Sequence, residues 1–95
     1  MADDPTPAVS CVCCGFVTLE ARGDYDICPV CFWENDHVVD PHTPSGPNHM
    51  TPAEGRANFA RFGACEQRFV QNVLPPTNRS RYERRPVVLR GLDDE

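Results

Sequence analysis

Lysine is absent from the chain, and all nine of its cations are arginine. Read alone, that is a coding bias more than a mechanism. Any apolar run of membrane-spanning length is missing too, which argues against a transmembrane helix. The opening residues, Met1-Ala-Asp-Asp-Pro-Thr-Pro7, have neither a basic start nor an apolar stretch, so no secretory signal is expected there. The sequence offers no phosphate loop, no open-site metal motif and no nucleophile–base pair, which places an enzyme last among the function classes. Long regular elements are also excluded, because ten prolines and six glycines in 95 residues force short elements and many loops. A single domain of this size sits near the lower limit at which a core alone sustains a fold. A structural metal is a usual remedy.

What is present answers that need. Cys11-x-x-Cys14 and Cys28-x-x-Cys31 form two hooks with thirteen residues between them. Two C-x-x-C hooks at this separation are what a tetrahedral thiolate site requires. Four protein sulfurs fill the tetrahedron and leave no open position, which points to a structural metal. Zinc is the expected ion, with iron in a rubredoxin-like site as the alternative. Structural zinc contributes roughly 10–16 kcal/mol in finger peptides, more than a core this small leaves over, so the metal is expected to be a folding requirement. With no export signal, the six cysteines read as reduced thiols in a cytoplasm rather than as disulfides.

Charge is segregated. Residues 1–54 carry nine acids against Arg22 alone, a balance of −8, whereas residues 55–90 carry eight arginines against Glu66 and Glu83, a balance of +6. The terminal Asp93-Asp94-Glu95 brings the total to −5. A tetrathiolate around a divalent ion would add about −2 to the acidic half. Such a lobe is a poor surface for a phosphate backbone.

The order of segments predicts a small metal-stapled α+β fold, a zinc-ribbon-like β-hairpin followed by one or two short helices. Residues 1–9 read as a flexible leader, 10–76 as the zinc-ribbon-like domain with its helical extension, and 77–95 as an arginine-rich segment and acidic tail. Phe16–Leu19 and Tyr25–Ile27 have strand character and would pair across a turn at Arg22-Gly23-Asp24. Residues 40–50, with three prolines and a glycine, predict an irregular connection. Thr51 then offers a helix cap, Pro52 suits the first helical position, and Glu54 completes a capping box. Ala53, Ala57 and Ala60 fall on one face of that helix, and Gly63 can end it. A second helical stretch is expected over Ala64–Leu74, and a short strand at Pro86–Leu89.

The hooks carry local turn signals. Gly15 follows the first hook, where a left-handed backbone is easiest without a Cβ. Pro29 presets the second, but Phe32 stands where a glycine would be expected. Together, Cys11-Val-Cys-Cys-Gly15, Arg22-Gly23 and Ile27-Cys-Pro-Val-Cys-Phe-Trp-Glu34 resemble the cysteine-rich CPCC family of small bacterial proteins. Gly46-Pro47-Asn48, Ala57-Asn58-Phe59, Phe62-Gly-Ala-Cys65 and Pro75-Pro76 fit the same pattern, which spans roughly residues 11–84. Val12 departs from it, standing where the family motif has proline. The resemblance implies a compact zinc-ribbon-like domain and no particular activity.

Other reactive residues have bland readings that are preferred. Cys13 is a spare ligand or redox thiol, or a small side chain facing away from the metal, since adjacent Cys13 and Cys14 cannot easily both ligate one ion. Cys65 is a core residue before it is a nucleophile. His37, His42 and His49 read as loop histidines rather than a second site with Asp36 or Asp40. Glu34 and Asp36 read as solvated. Phe32-Trp33 either covers the metal or anchors a partner, because tryptophan is enriched at interface hot spots. Arg79, Arg81, Arg84 and Arg85 around Tyr82 form a solvated tail, a docking surface for an acidic protein, or a nucleic-acid contact.

These observations favour a small cytoplasmic, non-enzymatic interaction or adaptor module. Cys11, Cys14, Cys28 and Cys31 are its metal ligands, and Trp33, Arg79, Arg81, Arg84 and Arg85 are its candidate partner-binding residues. A protein partner is favoured over a nucleic acid, and no membrane is involved. The alternative is a zinc ribbon that binds RNA or DNA through the arginine-rich segment.

Overall fold

A computed structural model describes residues 8–87. The fold is built on two copies of one turn. In the first, the Cys11 amide donates to the Phe16 carbonyl and the Gly15 amide donates to the Cys11 carbonyl, both at 2.9 Å. In the second, the Cys28 amide donates to the Trp33 carbonyl at 2.9 Å and the Phe32 amide to the Cys28 carbonyl at 2.8 Å. Each hook therefore reverses the chain on itself as a knuckle.

That reversal decides which strands pair. β1 (Val9–Ser10) lies antiparallel to β2 (Val17–Leu19), with Val9 opposite Leu19 and Ser10 opposite Val17. Around the second knuckle Ile27 bridges Glu34. The expected pairing of Phe16–Leu19 with Tyr25–Ile27 does not form. Each knuckle lays the strand that enters it beside the strand that leaves it, and the Tyr25 and Cys28 amides are spent on Asn35 and Trp33 across the second one. The structure is still a metal-cluster hairpin followed by a helix, as the α+β reading required.

The helix α1 (Pro52–Phe62) begins and ends where the sequence signals it. Thr51 accepts from the Glu54 amide, the Glu54 side chain accepts from the Thr51 amide, and Gly63 closes the helix in the left-handed conformation. Its inner face differs from the alanine face. Pro52 and Gly55 are buried, while Ala57 and Ala60 are exposed. The cause is Trp33: a Cβ on Gly55 would stand 2.8 Å from the Trp33 ring and 3.3 Å from Cys13 Sγ. Only glycine lets the helix lie that close.

The stretch Ala64–Leu74 is not a helix, apart from a 3-10 turn at Gln67–Phe69. Its backbone is committed elsewhere. The Cys65 amide donates to the Cys31 carbonyl at 2.8 Å, the Cys65 carbonyl accepts from Asn58 at 2.9 Å, and the Leu74 amide donates to the Pro29 carbonyl at 3.0 Å. These bonds lay the segment across the second knuckle.

A second 3-10 turn, Pro76–Arg81, leads into residues 83–87, which cross the first knuckle. The Val17 amide donates to the Glu83 carbonyl at 2.8 Å, the Arg85 amide to the Gly15 carbonyl at 2.7 Å, and Ser10 Oγ to the Arg85 carbonyl. The arginine-rich segment, grouped by sequence with the tail, is thus packed on the metal lobe. Pro86 and Val87 form no strand, and Val88 and Leu89 lie outside the described residues. At the other end Val9 belongs to β1, whereas residues 1–7 of the expected leader lie outside the described residues.

Residues 34–50 are irregular but internally bonded. Asn48 clips Glu34 on both sides, accepting from its amide at 2.8 Å and donating to its carbonyl at 2.9 Å. Buried Ser45 donates to Asp36 at 2.6 Å and accepts from Asn48 at 2.8 Å. Asp36 is therefore buried and bonded rather than solvated. Among the described residues, no helix is long and apolar enough to cross a membrane.

Candidate metal centre

The two knuckles bring the sulfurs of Cys11, Cys14, Cys28 and Cys31 within 4.8 Å of one another, and all four residues are buried. Across the knuckles, Cys11 Sγ lies 3.5 Å from Cys31 Sγ and Cys14 Sγ 3.7 Å from Cys28 Sγ. A tetrahedron with metal–sulfur bonds of about 2.3 Å has an edge of about 3.8 Å. Those two edges match a tetrahedral ion, and the 4.8 Å ceiling on the others gathers all four sulfurs about one centre.

The surroundings suit thiolates. The Phe16 amide donates to Cys14 Sγ at 3.4 Å, and the Thr18 hydroxyl lies 3.1 Å from Cys28 Sγ. As thiols, Cys14, Cys28 and Cys31 are not alike. Hydrogen bonds from Cys11, Cys14 and Cys31, with a further one from Thr18, pull Cys28 well below the ordinary thiol range. Cys14 is pushed up because it donates to Cys11 and Cys28, and Cys31 is pushed up by burial and then by donation to Cys11. A divalent cation at the centre replaces those shared protons and stabilises all four thiolates together.

A family model for cysteine-rich CPCC proteins matches residues 9–80. The chain belongs to the cysteine-rich CPCC family. No curated protein and no solved structure gives a significant match to it. The CPCC match covers both knuckles, α1 and the segment that lies on the second knuckle. It stops before residues 83–87, which cross the first. Val12, which replaces the proline of the CPCC motif, is 1% exposed and fills the core that the two knuckles share.

Cys13 and Cys65 stand outside the four-sulfur cluster. Cys13 is 4% exposed and lies against Gly55 of α1, the place that Val30 takes in the second knuckle. Cys65 is 1% exposed, and burial pushes its thiol up to about 12, reinforced by the charges of Cys13 and Cys11. A thiol so buried and so weakly acidic is no nucleophile. His37, His42 and His49 are exposed and join no metal cluster among the described residues.

The expected partner-binding residues divide. Trp33 is 0% exposed and is the largest fully buried side chain, so it is a core residue and not a surface anchor. A small metal-stapled core needs the bulk, and the indole supplies it beneath α1. Its Nε1 has no partner among the described residues. Arg79 donates to the Gly63 carbonyl at 2.8 Å and the Leu74 carbonyl at 3.3 Å while lying 5.0 Å from the Phe59 ring centre. Arg84 donates to the Cys14 carbonyl at 3.2 Å. Arg81 and Arg85 are exposed, and Arg85 stands 3.6 Å from Glu83.

Sequence reasoning missed Thr18, Gly55 and Arg56. A glycine inside a well-capped helix is a usable sign of close approach, and Gly55 carried that sign. Nothing in the sequence distinguished Thr18 or Arg56, because their partners are 10 and 44 positions away.

Proposed function

We propose that this CPCC-family protein is a cytoplasmic zinc protein that works as a non-enzymatic interaction module. One observation carries the reading: four buried sulfurs fill a tetrahedron whose faces are covered by protein, so the site holds a metal without offering it to a substrate. Zinc is favoured because a d¹⁰ ion asks only for tetrahedral thiolates and brings no redox chemistry of its own. Six cysteines without a disulfide support a reducing compartment. The metal then replaces the core that the chain is too small to build, and it holds the surface around the first knuckle in shape.

Elemental analysis of the purified protein should find one zinc per chain, and a cobalt-substituted sample should show the spectrum of a tetrahedral tetrathiolate. Visible thiolate-to-iron absorption in the native protein would reverse the assignment. Metal-loaded protein used as bait in lysate, with and without nuclease, tests the module. Capture that disappears with nuclease would favour the nucleic-acid reading. The structure lends that reading little support, since Arg79 spends two donors on backbone carbonyls and Arg85 lies beside Glu83.

A further inference from the structure

The first knuckle, α1 and the closing segment enclose a cleft of about 280 Å³ beside the metal centre, lined by Arg56, Arg84, Phe59, Ala60, Pro86 and Cys13. Two guanidinium groups border it, and both are held from behind. Arg56 Nε donates to the Val12 carbonyl at 3.0 Å, and its Nη2 donates to the Val87 carbonyl. Arg84 Nε donates to the Cys14 carbonyl at 3.2 Å, and the guanidinium lies 5.7 Å from the centre of the Phe16 ring. Val12 and Cys14 are two positions apart in one knuckle, so the same turn fixes both cations that line the cleft.

Their remaining donors are not used among the described residues. Arg56 Nη1 and both terminal nitrogens of Arg84 have no acceptor among the described residues. Neither arginine has a carboxylate partner there, where the ion pairs are Arg68–Glu66 and Arg85–Glu83. Two fixed guanidinium groups with donors to spare at one cleft favour an anionic acceptor there. The other walls, Phe59, Ala60 and Pro86, are apolar. The cleft thus combines two held cations with apolar walls.

We infer that this cleft binds a carboxylate of a protein partner, an acidic side chain together with an adjacent apolar one. The inference rests on the interaction-module reading and names the chemistry of its partner. Planar guanidinium groups match carboxylates through paired N–H donors, and their fixed position lowers the ordering cost. The volume is near the lower end of small-ligand sites, roughly 300 Å³, which suits one or two side chains. A nucleic acid fits less well. Residues 1–54 carry a balance of −8, and a tetrathiolate adds about −2, which opposes a polyanion far more than a single carboxylate.

The test uses the metal-loaded full chain, labelled with ¹⁵N and titrated with an acetylated, amidated tetrapeptide containing Phe-Asp. Arginine Nε–H and Gly15 amide resonances report binding even at millimolar affinity. The Arg56 and Arg84 signals should shift and saturate, and the Phe-Asn peptide should leave them in place. Arg84→Gln and Arg56→Gln should each weaken binding about tenfold, the effect of one charge-assisted contact, at unchanged metal content. No saturable shift in the metal-loaded wild type overturns the inference, and so does equal affinity in both variants. Oligouridylate shifting the same arginine signals while the peptide does not would assign the cleft to nucleic acid instead. Metal loss in the variants at unchanged peptide affinity would make the arginines counter-ions of the thiolates. Metal content and bait capture are measured separately, so the module reading can stand or fall on its own.

Discussion

Gly15 and Phe32 hold the same left-handed backbone position in the two knuckles, at φ 83° and 73°. Each follows the second cysteine of its hook and donates its amide to the carbonyl of the first. The two positions tolerate different residues for a spatial reason. A Cβ on Gly15 would stand 3.0 Å from Pro86 Cα, whereas the Phe32 ring lies 4.5 Å from that of Phe69. Phe32→Gly relieves about 1 kcal/mol of backbone strain but forfeits more in packing, for a net loss of about 1–2 kcal/mol. Gly15→Ala should cost about 1–3 kcal/mol, because strain and overpacking act together. Thermal melts of the metal-loaded variants check both values, with metal stoichiometry expected to stay at the wild-type level.

Gly55→Ala inverts an ordinary rule. In an exposed helix interior the change gains up to about 1 kcal/mol. Here the added methyl meets Trp33 at 2.8 Å and Cys13 Sγ at 3.3 Å, so a loss of about 1–3 kcal/mol is expected. Denaturant titration at constant metal concentration measures it, and a gain in stability would contradict the packing of α1 on Trp33.

Metal binding should release protons and weaken in acid. Cys14 and Cys31 are raised as thiols, so a metal must displace their protons, and affinity falls as pH falls. Chelator competition from about pH 8 to about pH 5 should show steady metal loss, and calorimetry in buffers of differing ionisation enthalpy should count the protons. Chelation at neutral pH should abolish the near-UV signal of the buried Trp33.

In the loaded protein all six thiols should resist modification. Cys65, pushed up to about 12 by burial, and the buried Cys13 should react at least about a hundredfold more slowly than in the unfolded chain. Chelator and denaturant together should expose six. A rapidly labelled cysteine in the folded, loaded state would place Cys13 or Cys65 at the surface.

Arg79→Lys tests whether arginine is interchangeable with lysine here. Arg79 serves two carbonyls and lies over Phe59, a combination that depends on a planar fork. The substitution keeps the charge and should still cost about 1 kcal/mol in a thermal melt. Four arginines lie over phenylalanine rings: Arg61 on Phe62, Arg68 on Phe69, Arg79 on Phe59 and Arg84 on Phe16. A lysine-free composition, read at first as coding bias, thus also has structural use.

The metal ligands and the first helix were legible because their signals are local. A C-x-x-C hook and the box of Thr51 and Glu54 are each complete within four residues. Strand pairing and the fate of Ala64–Leu74 were not legible, since both depend on bonds from one knuckle to a distant segment, such as Cys65 to Cys31. Trp33 was ambiguous for the same reason: an indole beside a hook is core or anchor according to what covers it.

By itself the sequence determined that four sulfurs would share one ion, that a capped helix would run from Pro52 toward Gly63, and that acids and arginines would separate along the chain. These follow from spacing, capping chemistry and composition, which act over a few residues. Tertiary structure alone decided that Gly55 admits Trp33 to the core and that residues 83–87 return over the first knuckle. It alone set Arg56 and Arg84 beside one cleft. Those outcomes need segments far apart in the chain to meet, and their meeting is set by packing around the shared metal core.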